Sequence, residues 1–300
     1  MHKPITLRIH RMKLQTALAA LLLCLFIPFA QAGAGKDRGL LWEVSKPGVP
    51  ASYLFGTLHS EDPDVVRLAA PVQQAFDAAQ TVVIEVLFDM QAMQLSSAAM
   101  LMMDGRSLKD VVGEPLFTAA AAAMRARGMP EMLTGHMQPW AVAVSLSTPA
   151  TETGLVLDMV LYQGALQRGT PVHGLETIQE QLEVFTGMPL ADQVLLLRDA
   201  VEHVHEIDAL YAELLAAWKQ RDLARLVALN EAELASGDAQ FAADFQKRLI
   251  VHRNHLMVER MQPYLKQGKA FVAVGALHLP GETGLLNLLE QRGYTVSVVY

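Results

Sequence analysis

The pattern G-x-L-H occurs twice in this chain, each time directly after a short apolar run. Tyr53-Leu54-Phe55 leads into Gly56-Thr57-Leu58-His59, and Phe271-Val272-Ala273-Val274 leads into Gly275-Ala276-Leu277-His278. Chance would supply one such tetrapeptide in roughly one chain in ten of this length. Two copies, both at the exit of a strand-like run and at opposite ends of the polypeptide, point to paired structural positions. In an open α/β sheet, side chains just past the carboxyl ends of strands line the ligand crevice. A fold that honours both copies must bring remote ends of the chain to one sheet edge. Two imidazoles delivered there would make half of a metal site; equally, they could donate structural hydrogen bonds.

The first 32 residues read as a leader. Lys3, Arg8, Arg11 and Lys13 give a basic start, Leu14 to Ala30 is almost wholly apolar, and Ala30-Gln31-Ala32 fits a secretory cleavage site. The expected products are a removed signal peptide, residues 1–32, and an exported chain from residue 33, periplasmic or secreted. The apolar run is short for a retained span, which needs about 20 apolar residues. Losing the leader removes four positive charges and no negative ones, taking the formal net charge from −7 to about −11. That excludes nucleic acid and anionic membrane surfaces as expected partners. Cys24 is the single cysteine, so the exported chain has no disulfide, no thiolate nucleophile and no thiolate ligand.

Leu40 to Val44 and Ser52 to Phe55 read as strands split by Lys46-Pro47-Gly48. Asp62-Pro63 reads as a helix start, with a helix expected to about Ala79. Thr81-Val82-Val83-Ile84-Glu85-Val86 then reads as a strand with a carboxylate at its end. A charge in a buried strand must be paired or coordinated, so Glu85 is either a site residue or one half of a salt bridge. Residues 89 to about 250 are helical in pattern, with one strand-like return at Thr170-Pro171-Val172-His173, ending in Gly174-Leu175-Glu176. Leu190 to Arg221 reads as one long helix or a pair, Leu223 to Leu234 as another, and Phe241 to Leu265 as a third. The end of the chain reads as strand, G-A-L-H, a helix from Thr283 to Arg292, and a strand from Tyr294 to Val299. The expected architecture is α/β: one domain over residues 33–300, its sheet built from N- and C-terminal β-α-β units, with a large helical insertion at about 89–250.

Several further motifs accompany the paired histidines: Gly174-Leu175-Glu176-Thr177 with Glu180-Gln181, Arg253-Asn254 with Met257, and Leu279-Pro280-Gly281, Gly284-Leu285-Leu286 and Gly293-Tyr294 after the second G-x-L-H. Together they resemble the TraB/GumN family, which is similar to the Tiki metalloproteases and, more distantly, to erythromycin esterases and ChaN-like proteins. The resemblance covers essentially the whole exported chain. It implies an α/β core with a helical insertion, and a divalent cation (manganese, cobalt or zinc) held by His59 and His278 with Glu85. It also implies catalytic or positioning roles for Glu85, Glu176, Arg253 and Asn254. Asp158 matches the acid of a Gly-x-Asp element whose glycine is missing here, so its transfer is the weakest.

A His-His-carboxylate set with one open position suits water activation, and a spare carboxylate can take the proton. Arg253 could hold a carboxylate of a substrate or of Glu176, or brace the helix. His203 and His205 read as solvated, His173 as buried structure, and His136 as a loop residue. The methionines from Met90 to Met137 read first as core and secondarily as a peptide-accommodating groove. No G-x-S-x-G, phosphate-cradling glycine loop or H-E-x-x-H occurs, which disfavours serine hydrolases, nucleotide-binding proteins and zincins. The expected function is metal-dependent hydrolysis, most plausibly of a peptide bond. The alternatives are a non-catalytic module that binds or sequesters a peptide or small ligand, and ChaN-like handling of haem or iron.

Overall fold

The computed structural model describes residues 36–150, 153–234 and 239–300; the expected leader lies outside the described residues. Six strands form one sheet: β1 (Leu41–Lys46), β2 (Val49–Thr57), β3 (Thr81–Ile84), β4 (Val172–Gly174), β5 (Ala270–Gly275) and β6 (Thr295–Val298), in the order β4-β3-β5-β2-β1-β6. β1 and β2 form a hairpin around Pro47-Gly48, with Gly48 at φ 80°. β1 is antiparallel to both its neighbours, whereas β2, β5, β3 and β4 pair in parallel. The α/β class therefore holds, with β5 inserted between the two strands of the first β-α-β unit.

Parallel pairing in the interior explains why β3 and β5 are continuous apolar runs rather than alternating ones. Val82, Val83, Phe271, Val272 and Val274 are wholly buried. The core around this sheet includes Phe55, Phe76 and Phe271, whose rings pack edge-on or tilted at 5.3 to 5.8 Å. A second apolar cluster, including Leu108, Met124, Trp140, Leu146 and Leu197, lies within the helical insertion. The methionine-rich stretch divides: Met102, Met124 and Met137 join that cluster, while Met90, Met93 and Met103 are exposed.

Two helical expectations are corrected, and a third is resolved in favour of one of its alternatives. The segment after Asp62 is two helices, Pro63–Val66 and Ala70–Ala78, because Pro71 has no N–H for the Arg67 carbonyl and its ring would strike it. Leu190 to Arg221 resolves into the pair Leu190–Glu202 and Ile207–Lys219. The stretch from Phe241 to Leu265 is not one helix. It runs as Ala239–Gln246, a π-helical turn Lys247–Val251, and His252–Arg260. It then breaks before Gln262–Gln267, where Pro263 plays the same part toward Glu259.

Among the described residues no helix is long and apolar enough to cross a membrane.

Candidate functional site

The register of the parallel strands decides where the site lies. Ile84 pairs with Gly174 and Ala273, and Thr57 pairs with Gly275. The chain therefore leaves β4, β3, β5 and β2 at one carboxyl edge, and each exit carries one chemically active residue. In sheet order these are Glu176, Glu85, His278 and His59. The chain ends do meet there, on neighbouring strands.

Both motif glycines are demanded by close approach. A Cβ on Gly56 would stand 2.7 Å from Leu279 Cδ1 and 3.1 Å from Ala276 Cα, so the first G-x-L-H packs directly on the second. A Cβ on Gly275 would lie 3.3 Å from Glu85 Oε1, and the Gly275 amide donates to that oxygen at 2.6 Å. Gly56→Ala should cost about 1–3 kcal/mol through overpacking of the buried Leu279 and Ala276. Its urea midpoint should fall, and the shift should disturb the adjoining His278.

His278 is buried at 4% exposure, in a short 3-10 turn. Its Nδ1 lies 2.6 Å from Asn254 Oδ1. Asn254 Nδ2 donates to the carbonyls of His278 and Thr283 at 3.3 and 2.8 Å, which fixes the amide so that its oxygen must accept. His278 therefore carries its proton on Nδ1 and presents a bare Nε2, 3.7 Å from Glu85 Oε1. Burial is the main cause that lowers its pKa, to about 4; Glu85 opposes this and Arg253 assists it. The ring is neutral at ordinary pH.

His59 has its own partner. Its Nδ1 lies 3.6 Å from Asp158 Oδ2, while Thr57 Oγ1 donates to Asp158 Oδ1 at 2.7 Å. Asp158 sits in the first turn of the Leu157–Gln167 helix, whose Leu157 amide donates to the Ser60 carbonyl. The neighbouring Asp158 carboxylate raises the pKa of His59, and the charge of Glu85 pushes the same way. The His59 backbone is held from above by Tyr211, whose Oη donates to its carbonyl at 2.9 Å. Trp218 Nε1 donates to the Gly56 carbonyl at 3.0 Å.

The carboxylates share one cation. Arg253 Nε donates to both oxygens of Glu176 at 3.0 and 3.1 Å, and Nη2 reaches Glu85 Oε2 at 2.7 Å and Glu176 Oε2 at 2.8 Å. Gln181 Nε2 donates to the same two residues at 3.2 and 3.3 Å. Desolvation pushes the pKa of Glu85 up, but His278, Arg253 and the Gly275 amide together pull it below its ordinary value. Of the uses foreseen for Arg253, the structure shows the one toward the Glu176 carboxylate. Arg253 and Asn254 are adjacent on one helix, so they diverge by about 100°, one toward the carboxylates and the other toward His278.

Sequence reasoning left Asp158 the weakest transfer and gave Gln181 no role, although each touches a site residue. The sequence signals for Gln181 are its place in the Glu180-Gln181 pair of the family motif and its position one residue after the Thr177–Glu180 capping box that starts the Ile178–Thr186 helix. His173 stacks on Tyr264 with ring centroids 4.9 Å apart, a structural role. His203 follows the end of the Leu190–Glu202 helix, outside the site.

The matching of this chain to known proteins agrees with its motifs. The sequence profile of the TraB/PrgY/gumN family matches residues 40–298, from just before β1 to the last residue of β6. The chain belongs to the TraB/PrgY/gumN family. It is similar to the uncharacterized protein YbaP of Shigella flexneri and of Escherichia coli K12, each 24% identical over 254 residues. Those alignments cover 83% of this chain and 91% of each relative. No solved structure matches it significantly. The family match spans all four strand exits, so the edge that carries Glu176, Glu85, His278 and His59 is part of the TraB/PrgY/gumN unit.

Whether a cation suits this edge turns on its donors. Among the described residues, no three His, Cys, Asp or Glu side chains converge tightly enough to hold an ion as they stand; His278 meets Glu85, and His59 meets Asp158. The donor chemistry nevertheless fits. His278 is hydrogen-bonded at Nδ1 to Asn254, and His59 has Asp158 within ion-pair distance of Nδ1, so a bound cation would be met at Nε2, the arrangement that orients histidines on metals.

Proposed function

We propose that this protein is an exported, metal-dependent hydrolase that cleaves peptide bonds. The observation that carries this reading is the pair of imidazoles on adjoining strand exits, His278 hydrogen-bonded at Nδ1 to Asn254 and His59 with Asp158 3.6 Å from Nδ1, with the Glu85 carboxylate beside His278. His59 and His278 would hold a manganese, cobalt or zinc ion through Nε2, with Glu85 as the carboxylate of the set. Such an ion supplies Lewis-acid polarisation of a carbonyl and acidifies water.

The protein's own part is positional and protonic. Glu85, kept ionised by Arg253 and the Gly275 amide, is the acceptor for a proton from the attacking water. As the carbon–nitrogen bond breaks and a carbon–oxygen bond forms, that proton passes to the leaving amine. Glu176, 1% exposed against 21% for Glu85 and held at both oxygens by Arg253, serves as an anchor that holds the guanidinium against Glu85.

The test uses purified protein lacking residues 1–32, stripped with a chelator, reloaded separately with manganese, cobalt or zinc, and incubated with a mixed-sequence peptide library. Mass spectrometry should show cleavage with at least one metal and none in the stripped protein. Intact peptides under every condition would overturn the reading. Capture of peptides without products would point to a binding module instead.

A further inference from the structure

The two G-x-L-H copies differ at their variable position, which is Thr57 in the first and Ala276 in the second. Ala276 is spent on packing: it is buried, and its Cα and Cβ lie against Gly56. The orienting oxygen for His278 comes instead from Asn254, itself fixed because its amide nitrogen donates to two carbonyls. His59 is served differently. The side-chain oxygen beside its Nδ1 is Asp158 Oδ2, at 3.6 Å, beyond the length of an ordinary hydrogen bond. Its ring is 67% exposed, so its orientation depends on how firmly that carboxylate is held.

Left to itself, Asp158 would orient poorly. The terminal torsion of an aspartate is soft, and this carboxylate has a competing use. It sits in the first turn of the Leu157–Gln167 helix, which has no side-chain N-cap, so the amides of that turn attract its charge. Thr57 removes the freedom. It is 3% exposed, and its hydroxyl donates to Asp158 Oδ1 at 2.7 Å, a charge-assisted bond. With Oδ1 taken, Oδ2 is the oxygen that faces the imidazole. One strand end supplies both partners of the carboxylate. Thr57 and His59 are two residues apart, and along an extended chain such residues return to the same side.

We infer that Thr57 is a positioning residue for the first half of the site: by fixing Asp158, it keeps the proton of His59 on Nδ1 and Nε2 bare toward the cation. A carboxylate only accepts, so the ring nitrogen beside it is the one that carries the proton. The cation in this role rests on the metal-dependent reading above, whereas the tautomer rests on geometry alone. Thr57 itself meets neither metal nor substrate. The variable position of the motif thus orients in one copy and packs in the other.

Nitrogen-15 NMR of chelator-stripped protein at about pH 9, where a histidine ring is neutral, reads the tautomer without metal or substrate. The His59→Ala variant identifies the His59 signals. In the wild type, Nδ1 of His59 should resonate as an N–H nitrogen and Nε2 as a bare one. Thr57→Val, which keeps the shape and removes the hydroxyl, should give a mixture of both tautomers. Thr57→Ser should restore the wild-type spectrum. In an Asp158→Ala background, Thr57→Val should change nothing further. Cobalt(II) affinity should follow the spectra, falling roughly 10–100-fold in Thr57→Val and recovering in Thr57→Ser. A wild-type Nε2 that carries the proton would overturn the inference before any substitution is made. So would an unchanged spectrum in Thr57→Val, a Thr57→Ser protein that behaves like Thr57→Val, or an effect of Thr57→Val that persists without Asp158. If the tautomers shift as expected while the wild type binds no cobalt, the positioning role stands and the metal reading falls.

Discussion

Replacing Arg253 with methionine should destabilise the protein by about 3–5 kcal/mol, even though methionine fills much of the same volume. Arg253 is only 12% exposed in its side chain, with Glu85 at 21% and Glu176 at 1%. Removing the guanidinium leaves two carboxylates facing each other out of water, with only Gln181 and the Gly275 amide as donors. An uncompensated buried charge costs far more than the intact group contributes. The urea midpoint should fall sharply with little change in slope. Adding Glu176→Gln should restore a large part of the loss in the Arg253→Met background, yet destabilise the wild type. That reversal distinguishes charge burial from a mere packing defect.

The acid limb follows from the same cluster. Unfolded chain protonates His278 near 6.5, whereas the folded protein does so only near 4. Below 6.5 the unfolded state therefore binds the extra proton, and stability declines as pH falls from 6.5 to about 4. Glu85 acts later. Its folded pKa lies below the ordinary 4.5, so its contribution is intact above 4.5 and is lost as pH drops through the folded value. Chelator-treated wild type should show both losses, and His278→Leu should lack the first.

On the chemical side, His278→Gln and Glu85→Gln should each lower hydrolysis by about 10²–10⁴-fold, with folding retained. In the proposed mechanism the imidazole presents Nε2 and the carboxylate receives the proton, so neither function would survive as an amide. Asn254→Leu should cost less, on the order of 10–100-fold. It leaves the ring in place but removes the oxygen that keeps the proton on Nδ1. A full loss in Asn254→Leu with no loss in His278→Gln would invert the assigned roles.

The sheet and its edge were legible because they depend on local signals. β-branched runs mark strands, and residues just past a strand must lie at its end, so His59, Glu85, Glu176 and His278 could be placed from sequence. The residues that orient them were not legible in that way. Asp158 reaches His59 because the Leu157–Gln167 helix begins against the Ser60 carbonyl, a tertiary contact with no local pattern. Gln181 gains its role only when the Ile178–Thr186 helix sits beside β3. The π-turn is invisible to a 3.6-residue period, since a one-residue insertion shifts the phase without changing composition. The two helix breaks, by contrast, are written in Pro71 and Pro263, where the apolar pattern that continues through them masks the signal.

In the proposed site, two imidazoles from distant parts of the chain serve one cation through their Nε2 atoms. Cobalt(II) titration of chelator-stripped protein, followed by visible absorption, tests this directly. The prediction is saturation at one ion per chain at neutral pH in the wild type, and none in the His59→Ala, His278→Ala double variant. Affinity should weaken on acidification, because Asp158 and Glu85 help His59 keep its proton and protons compete with metal for imidazole. A wild type that binds no cobalt, or a double variant that binds it unchanged, would contradict the account.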